Sequence, residues 1–115
     1  MFRAGTDVDN VQMEDVRCDF CLGAWTLDRA FMEGHHGSHI CGDCLTSAFR
    51  TTVLFASDPP YTDMPACSCT MCLESRNEPS FDSDKRAAHI CRRCVKMAAV
   101  VLERDAELGW KRPDR

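Results

Sequence analysis

Four Cys-x-x-Cys turns punctuate this 115-residue chain: Cys18 to Cys21, Cys41 to Cys44, Cys69 to Cys72 and Cys91 to Cys94. Nineteen residues separate the inner cysteines of the first two turns and eighteen those of the last two. Paired thiolates at that separation suit tetrahedral Zn²⁺, so Cys18, Cys21, Cys41 and Cys44 are expected to hold one ion and Cys69, Cys72, Cys91 and Cys94 a second. The ninth cysteine, Cys67, competes with Cys69; Cys-x-x-Cys is the usual zinc spacing, which leaves Cys67 a spare thiol able to exchange with Cys69 or to be oxidised. His35 and His36 lie between glycines and read as a loop tip, whereas His39 and His89 each stand before a ligand turn and read as packing or outer-shell groups. Four thiolates close a zinc site to substrate, and no acid–base or nucleophile set is assembled, so no catalytic residue and no enzyme are expected.

The cysteine pattern belongs to a wider internal repeat. A shift of 50 residues lays Phe31 on Phe81, His39-Ile40 on His89-Ile90, Leu45 on Val95 and Ala48 on Ala98, and a shift of 51 lays Cys18, Cys21 and Leu22 on Cys69, Cys72 and Leu73. The chain therefore reads as two related modules, 16 to 56 and 67 to 109, each too small to fold without metal. Residues 1 to 15 read as a polar leader of little order, 57 to 66 as a Pro-rich linker, and 110 to 115 as a basic tail.

With 28% charged and 44% hydrophobic residues the composition is that of a folded globular chain rather than a disordered one. No apolar run approaches a signal peptide or membrane span, so the expected place is the cytoplasm, where reducing conditions favour metal over disulfides, and no membrane contact is expected. The formal net charge is −4; metal-bound thiolates and two zinc ions take the loaded protein to about −8. That balance makes nucleic acid the less favoured partner, although Lys85-Arg86, Arg92-Arg93, Lys96 and Lys111-Arg112 are local basic groups.

Each module predicts a knuckle at its first Cys-x-x-Cys, a short hairpin ending at Ile40 or Ile90, and a helix begun by its second Cys-x-x-Cys. Trp25, Leu27 and Phe31 belong to the first hairpin segment, with Trp25, Phe31 and Phe81 as core aromatics. Leu45, Ala48, Phe49, Thr52, Val53 and Ala56 keep helical spacing in the first module, and Val95, Ala98, Ala99 and Leu102 in the second, with Gly109 as a helix stop. The expected fold is small, α+β and metal-stabilised: two treble-clef-like zinc fingers packed as a pseudo-symmetric pair.

The strings CDFC…HICGDCL and CTMC…HICRRCV, each followed by an apolar helix, resemble the amino-terminal zinc-binding domain of the ClpX unfoldase subunit. The resemblance covers Cys18 to about Phe55 and Cys69 to about Glu103. It implies zinc on the eight cysteines and recognition of substrates or adaptor proteins through an apolar surface, with the tandem imitating that family's dimer. The family's phosphate-cradling Gly-Lys-Ser/Thr loop has no counterpart here. The resemblance thus implies a protein-interaction module, an adaptor, decoy or regulator of Clp-type AAA+ proteolysis, with a nucleic-acid-binding regulator as the alternative.

Apolar residues outside the main stripes mark a candidate partner surface: Leu54, Phe55, Met97, Val101, Leu108 and Trp110, with Val100 beside them. The favoured expectation is that the modules bury Met97, Val101 and Leu108 against each other, giving a monomer, with an exposed docking face or a homodimer as the alternative. Trp110 either folds back onto the helices or stays available to a partner.

Overall fold

Each cysteine knuckle turns back on itself through the same backbone device. Leu22 and Leu73 both take a left-handed φ of 63°, a conformation that costs a non-glycine residue of order 1–3 kcal/mol. The turn is held by Leu22 N–H to Cys18 O (2.9 Å) and Cys18 N–H to Gly23 O (2.9 Å), and by the matching Leu73 to Cys69 (2.8 Å) and Cys69 to Glu74 (2.9 Å) bonds. The computed structural model describes residues 1–27, 29–55, 67–76, 78–84 and 86–114. The expected linker over 57–66, Ala56, Lys85 and the side chains of His36 and Cys67 lie outside the described residues.

From the first knuckle the chain enters β1 (Phe31–Glu33), turns through a 3₁₀ segment (His35–Gly37), returns as β2 (His39–Cys41) and runs straight into α1 (Gly42–Phe49). The second module has β3 (Cys67–Ser68) and β4 (Ser75–Arg76) across its knuckle, then β5 (Ser80–Asp82), β6 (His89–Cys91) and α2 (Arg92–Arg104). All three pairings are antiparallel. The β3–β4 ladder pairs Ser68 with Ser75, and the first module has the equivalent bridge between Arg17 and Ala24.

Register corrects the sequence superposition. Phe31, Met32 and Glu33 face Cys41, Ile40 and His39, while Ser80, Phe81 and Asp82 face Cys91, Ile90 and His89. The structural counterpart of Phe81 is therefore Met32, not Phe31. The second module loses two residues before its hairpin and regains one in the hairpin turn, a compensation that aligning aromatic on aromatic conceals.

Cys41 and Cys91 are the N-caps of the two helices, with extended backbones (φ −81°, ψ 163° and φ −78°, ψ 156°). The stripes buried are those that helical spacing marks out: Leu45, Ala48, Phe49 and Thr52 on the first helix and its continuation, and Val95, Ala98, Ala99 and Leu102 on α2. They join Ile40, Ile90, Phe20 and Met71 in one shared core. α1 does not run on as a regular helix; at Arg50 it widens into a π turn (Arg50–Leu54), where the buried Thr52 hydroxyl donates to Ala48 O at 2.8 Å. The result is a small α+β molecule with two antiparallel hairpins and two helices, its halves related as a pseudo-symmetric pair.

The halves clasp each other reciprocally. His35 N–H in the first hairpin turn donates to Met71 O in the second knuckle (2.8 Å), and the Ser83 hydroxyl after β5 donates to Phe20 O in the first knuckle (2.6 Å). Phe20 and Phe81 rings meet at 6.1 Å. Gly34 lies so close to the opposite module that a Cβ there would stand 2.7 Å from Met71 O.

Several expectations change. Residues 1 to 15, expected as a loose leader, lie against the first module: Phe2 bridges to Val16, Arg3 pairs with the buried Asp15 at 2.5 Å, and the Phe2 ring packs edge-on to His39 at 5.8 Å. A ring and a paired charge anchor what composition alone marks as polar. Leu27 is exposed and Trp25 is half-buried outside the core, because the chain between knuckle and β1 runs over the surface. α2 ends at Arg104, so Leu108 and Gly109 follow the helix instead of completing it.

The preference for burial of the off-stripe residues also fails. Met97 is 56% exposed and Val101 46%, with Val100 exposed beside them, because α2 turns its Val95, Ala98, Ala99 and Leu102 stripe into the shared core and these residues lie off that stripe. Leu108 alone of the three packs against the core. Trp110 folds back: its indole N–H donates to Gly42 O at 3.0 Å and lies 3.1 Å from Thr46 Oγ1.

Candidate metal centres

Knuckle and helix start bring four sulfurs together in each module, and every sulfur lies within 4.8 Å of the other three. Cys18 to Cys44 is 3.8 Å and Cys21 to Cys41 is 3.7 Å; Cys69 to Cys94 is 3.8 Å and Cys72 to Cys91 is 3.9 Å. Disulfide bonds would need about 2.05 Å. A tetrahedron with metal–sulfur bonds of about 2.3 Å has edges of about 3.8 Å, so both clusters are positioned for a metal ion and consistent with two zinc ions.

Backbone amides point at the sulfurs as a thiolate site requires. Phe20 and Cys41 N–H donate to Cys18 Sγ at 3.4 Å, Gly23 N–H to Cys21 Sγ at 3.4 Å, and Cys91 N–H to Cys69 Sγ at 3.4 Å. The amino-terminal ends of α1 and α2 add the favourable end of the helix dipole. Hydrogen bonds from the Cys41 and Cys44 thiols, with these amides, hold Cys18 far below the usual thiol range. Cys69 is lowered to about 4, first by the Cys94 thiol and then by backbone amides, against the cost of burial. The donors move the other way: Cys41 rises to about 11 through its bond to Cys18, Cys91 to about 12 chiefly through burial, and Cys44 and Cys94 lie far above through their bonds to Cys18 and Cys69. Four thiolates this close repel one another, and a divalent cation is what allows all of them to ionise together.

Among the described residues the candidate ligand groups contain cysteines alone, and His39 and His89 stand outside them. The backbone of His39 exchanges bonds with Asp19, through Asp19 N–H to His39 O (2.9 Å) and His39 N–H to Asp19 Oδ2 (2.6 Å), and His89 does the same with Thr70 (2.7 and 2.9 Å). The buried His39 ring is lowered in pKa by desolvation and meets the Phe2 and Phe31 rings edge-on, while His89 pairs with Asp82 at 2.5 Å.

One group at the first site escaped the sequence reading. Arg29 Nη2 is 3.3 Å from Cys41 Sγ and 3.8 Å from Cys21 Sγ, and its guanidinium also reaches Asp43 (3.8 Å) and the Phe31 ring (5.5 Å). Burial works against its charge, and the Cys41 and Cys21 sulfurs overcome that and raise its pKa. The signal was a lone cation between knuckle and hairpin, which spacing cannot connect to sulfur.

Beside each cluster runs a groove between the modules. The groove at the second site, about 390 Å³, is lined by Met32, Met71, Met97, Arg93 and Cys94 among others; its counterpart at the first site, about 550 Å³, has Phe20, Phe81, Ser47, Asp43 and Cys44 in the corresponding places. Of the remaining partner candidates Phe55 is 67% exposed, and Leu54 packs partly against the core. Of the basic residues, Arg112 pairs with Glu103 (2.5 Å) and stands over the Phe49 ring (5.7 Å). Among the described residues no helix is long and apolar enough to cross a membrane. In comparisons with protein-family models, curated proteins and solved structures, nothing matches the chain.

Proposed function

We propose that this chain is a non-enzymatic protein-interaction module built on two zinc ions, one in each Cys₄ cluster, with each module a treble-clef-like finger and the tandem an intramolecular counterpart of the ClpX zinc-binding-domain dimer. The observation that carries the reading is an apolar face that the shared core leaves uncovered. Met97, Val100 and Val101 stay exposed on α2, and Met97 continues into the groove with Met32 and Met71. Methionine surfaces adapt to varied apolar side chains.

The occupant is a segment of a protein partner that carries apolar side chains next to carboxylates. Arg93 lines the groove with Glu33 and Glu74, and Lys96 is exposed on the same helix, so α2 offers two cations to the occupant's carboxylates in a chain with net charge −4. The groove volume suits a few side chains rather than a whole domain. The reading places the protein in the cytoplasm as an adaptor, decoy or regulator, with Clp-type AAA+ proteolysis as the process.

Fluorescence anisotropy tests it with zinc-loaded protein and three labelled probes: a Leu/Glu peptide, a Leu/Lys peptide of equal length, and duplex DNA. The Leu/Glu peptide should bind and survive added salt, and Val101→Asp should abolish binding. Binding of DNA alone, weakening steeply with salt, would favour the nucleic-acid reading. A sedimentation mass of two chains that Val101→Asp halves would make a second copy the occupant of this face. A purified Clp-type unfoldase that fails to bind the zinc-loaded protein would remove the proteolytic setting while leaving the module reading in place.

A further inference from the structure

The two clusters match in sulfur geometry and differ in the charge built around them. By hairpin register the counterpart of Arg29 is Glu78, and by position in the helix the counterpart of Asp43 is Arg93. The first site therefore has its cation on the strand side, where it reaches two sulfurs, and its carboxylate on the helix. At the second site the order is reversed: Glu78 accepts a bond from Arg93 N–H at 3.1 Å, and a carboxylate cannot donate to sulfur.

The knuckles are shaped to match. At Gly23 a side chain would collide with the Arg29 guanidinium, so glycine makes room for it; the corresponding residue of the second knuckle is Glu74, which lines the open groove there with Cys72 and Cys94. The groove at the first site has Asp43, Asp82 and Asp84 around Arg29, whereas that at the second has Glu33 and Glu74 with Arg93 and His35. An anionic ligand approaching the first site meets three carboxylates and a guanidinium already engaged with sulfur.

We infer that the two sites do different work: the first is a permanent structural centre braced by Arg29 across two of its sulfurs, and the second exchanges its zinc with small anionic chelating ligands that enter beside Arg93. The inference rests on both clusters holding zinc. In the exchange the ion passes to the acceptor's donor atoms, and the freed sulfurs take protons from water; nothing is oxidised or reduced. Arg29 is a positioning residue, because it bonds to the ligand sulfurs and neutralises part of the charge that a bound dication leaves uncompensated.

Zinc release to excess EDTA, followed with a zinc-sensitive dye and by mass spectrometry of thiols trapped with N-ethylmaleimide, tests this. The zinc content at the start reports on the zinc reading itself. Two ions should leave in two phases of one equivalent each, at least about tenfold apart, as loss of one charge-assisted hydrogen bond corresponds to. Cys72 and Cys94 should be trapped in the fast phase and Cys21 and Cys41 in the slow one. Arg29→Ala should bring the slow phase toward the fast one with an unchanged far-UV spectrum, and Arg29→Lys, which keeps the charge and loses the planar fork, should fall between. Should Arg29→Ala fail to fold, Arg29→Lys and the wild-type phases decide. Two ions leaving at one rate, site-one cysteines trapped first, or a slow phase indifferent to Arg29 would each overturn the inference and leave the zinc reading intact; a preparation without zinc would overturn both.

Discussion

Both clusters face a groove, and what differs is the charge beside the sulfurs: the Arg29 guanidinium at the first, and the Glu78 carboxylate in the corresponding place at the second. The close sulfur pairs, Cys18–Cys44 and Cys21–Cys41 in one cluster and Cys69–Cys94 and Cys72–Cys91 in the other, differ by 0.2 Å at most, from 3.7 to 3.9 Å, so divergence has spared the sulfurs and worked on their neighbours. Arg29, the Trp110 indole over Gly42 and the anchored residues before Val16 all gather on the first module. The second offers Met71, Met97 and Arg93 in a groove, and an exposed helix face. A repeat whose halves keep one framework is free to differ in the residues around it.

The largest expected effect tests whether the halves depend equally on metal. Cys44→Ser and Cys94→Ser each remove one sulfur from clusters whose zinc binding is worth roughly 10–16 kcal/mol in folding. Each should lower zinc content from two to about one per chain, by elemental analysis. Because α1 and α2 share one core, thermal unfolding should lose cooperativity in both variants. A variant that keeps two zinc ions and the parent melting temperature would show that the sulfur in question is not a ligand.

Next in size is the clasp between halves. Gly34→Ala would place a methyl carbon 2.7 Å from Met71 O, and the obstacle is backbone rather than the end of a flexible side chain. The modules must shift apart, at a cost of about 1–3 kcal/mol in chemical denaturation. An unchanged midpoint would mean that this contact is not made in solution.

Trp110→Ala should cost about 2 kcal/mol, less than full burial of an indole would imply, because the ring is only half-buried and gives up one hydrogen bond. Loss of the Trp110 packing should fall on the first module. Hydrogen exchange should therefore speed up at the start of α1 more than at the start of α2, and equal changes in both helices would contradict the asymmetric placement of the tail.

What was legible in the sequence follows from period and chemistry. Eight cysteines at fixed spacing specify two clusters, and the 3.6-residue stripes mark residues of α1 and α2 that enter the core, because both signals are local. The hairpin register was misread because Phe31 and Phe81 are alike in type yet not in place, and only backbone pairing reveals the compensating loop lengths. Arg29 was missed because its contact with sulfur depends on how the chain between knuckle and strand runs. Burial of Met97 and Val101 was wrongly favoured because hydrophobic character does not say which of two apolar faces is covered; α2 buries Val95, Ala98, Ala99 and Leu102 and leaves the other face exposed.

The smallest effect on stability is expected where the largest effect on binding is. Val101 is 46% exposed, and its neighbours Val100 and Met97 are exposed with it. A carboxylate introduced there stays in water, so Val101→Asp should change stability by no more than about 0.5 kcal/mol. Had Val101 been buried between the modules, the same substitution would place an unpaired charge in the core and cost several kcal/mol. Denaturation of Val101→Asp beside the parent therefore distinguishes a free face from a hidden one without knowledge of any partner. If that free face takes the Leu/Glu peptide, the variant should fold as the parent does, retain two zinc ions and lose the peptide. A matching substitution on the first helix, Ser47→Asp, in the groove at the first site, should leave peptide binding as it was. Equal loss from both variants would show that the two grooves act as one surface, and that the modules have not divided their roles.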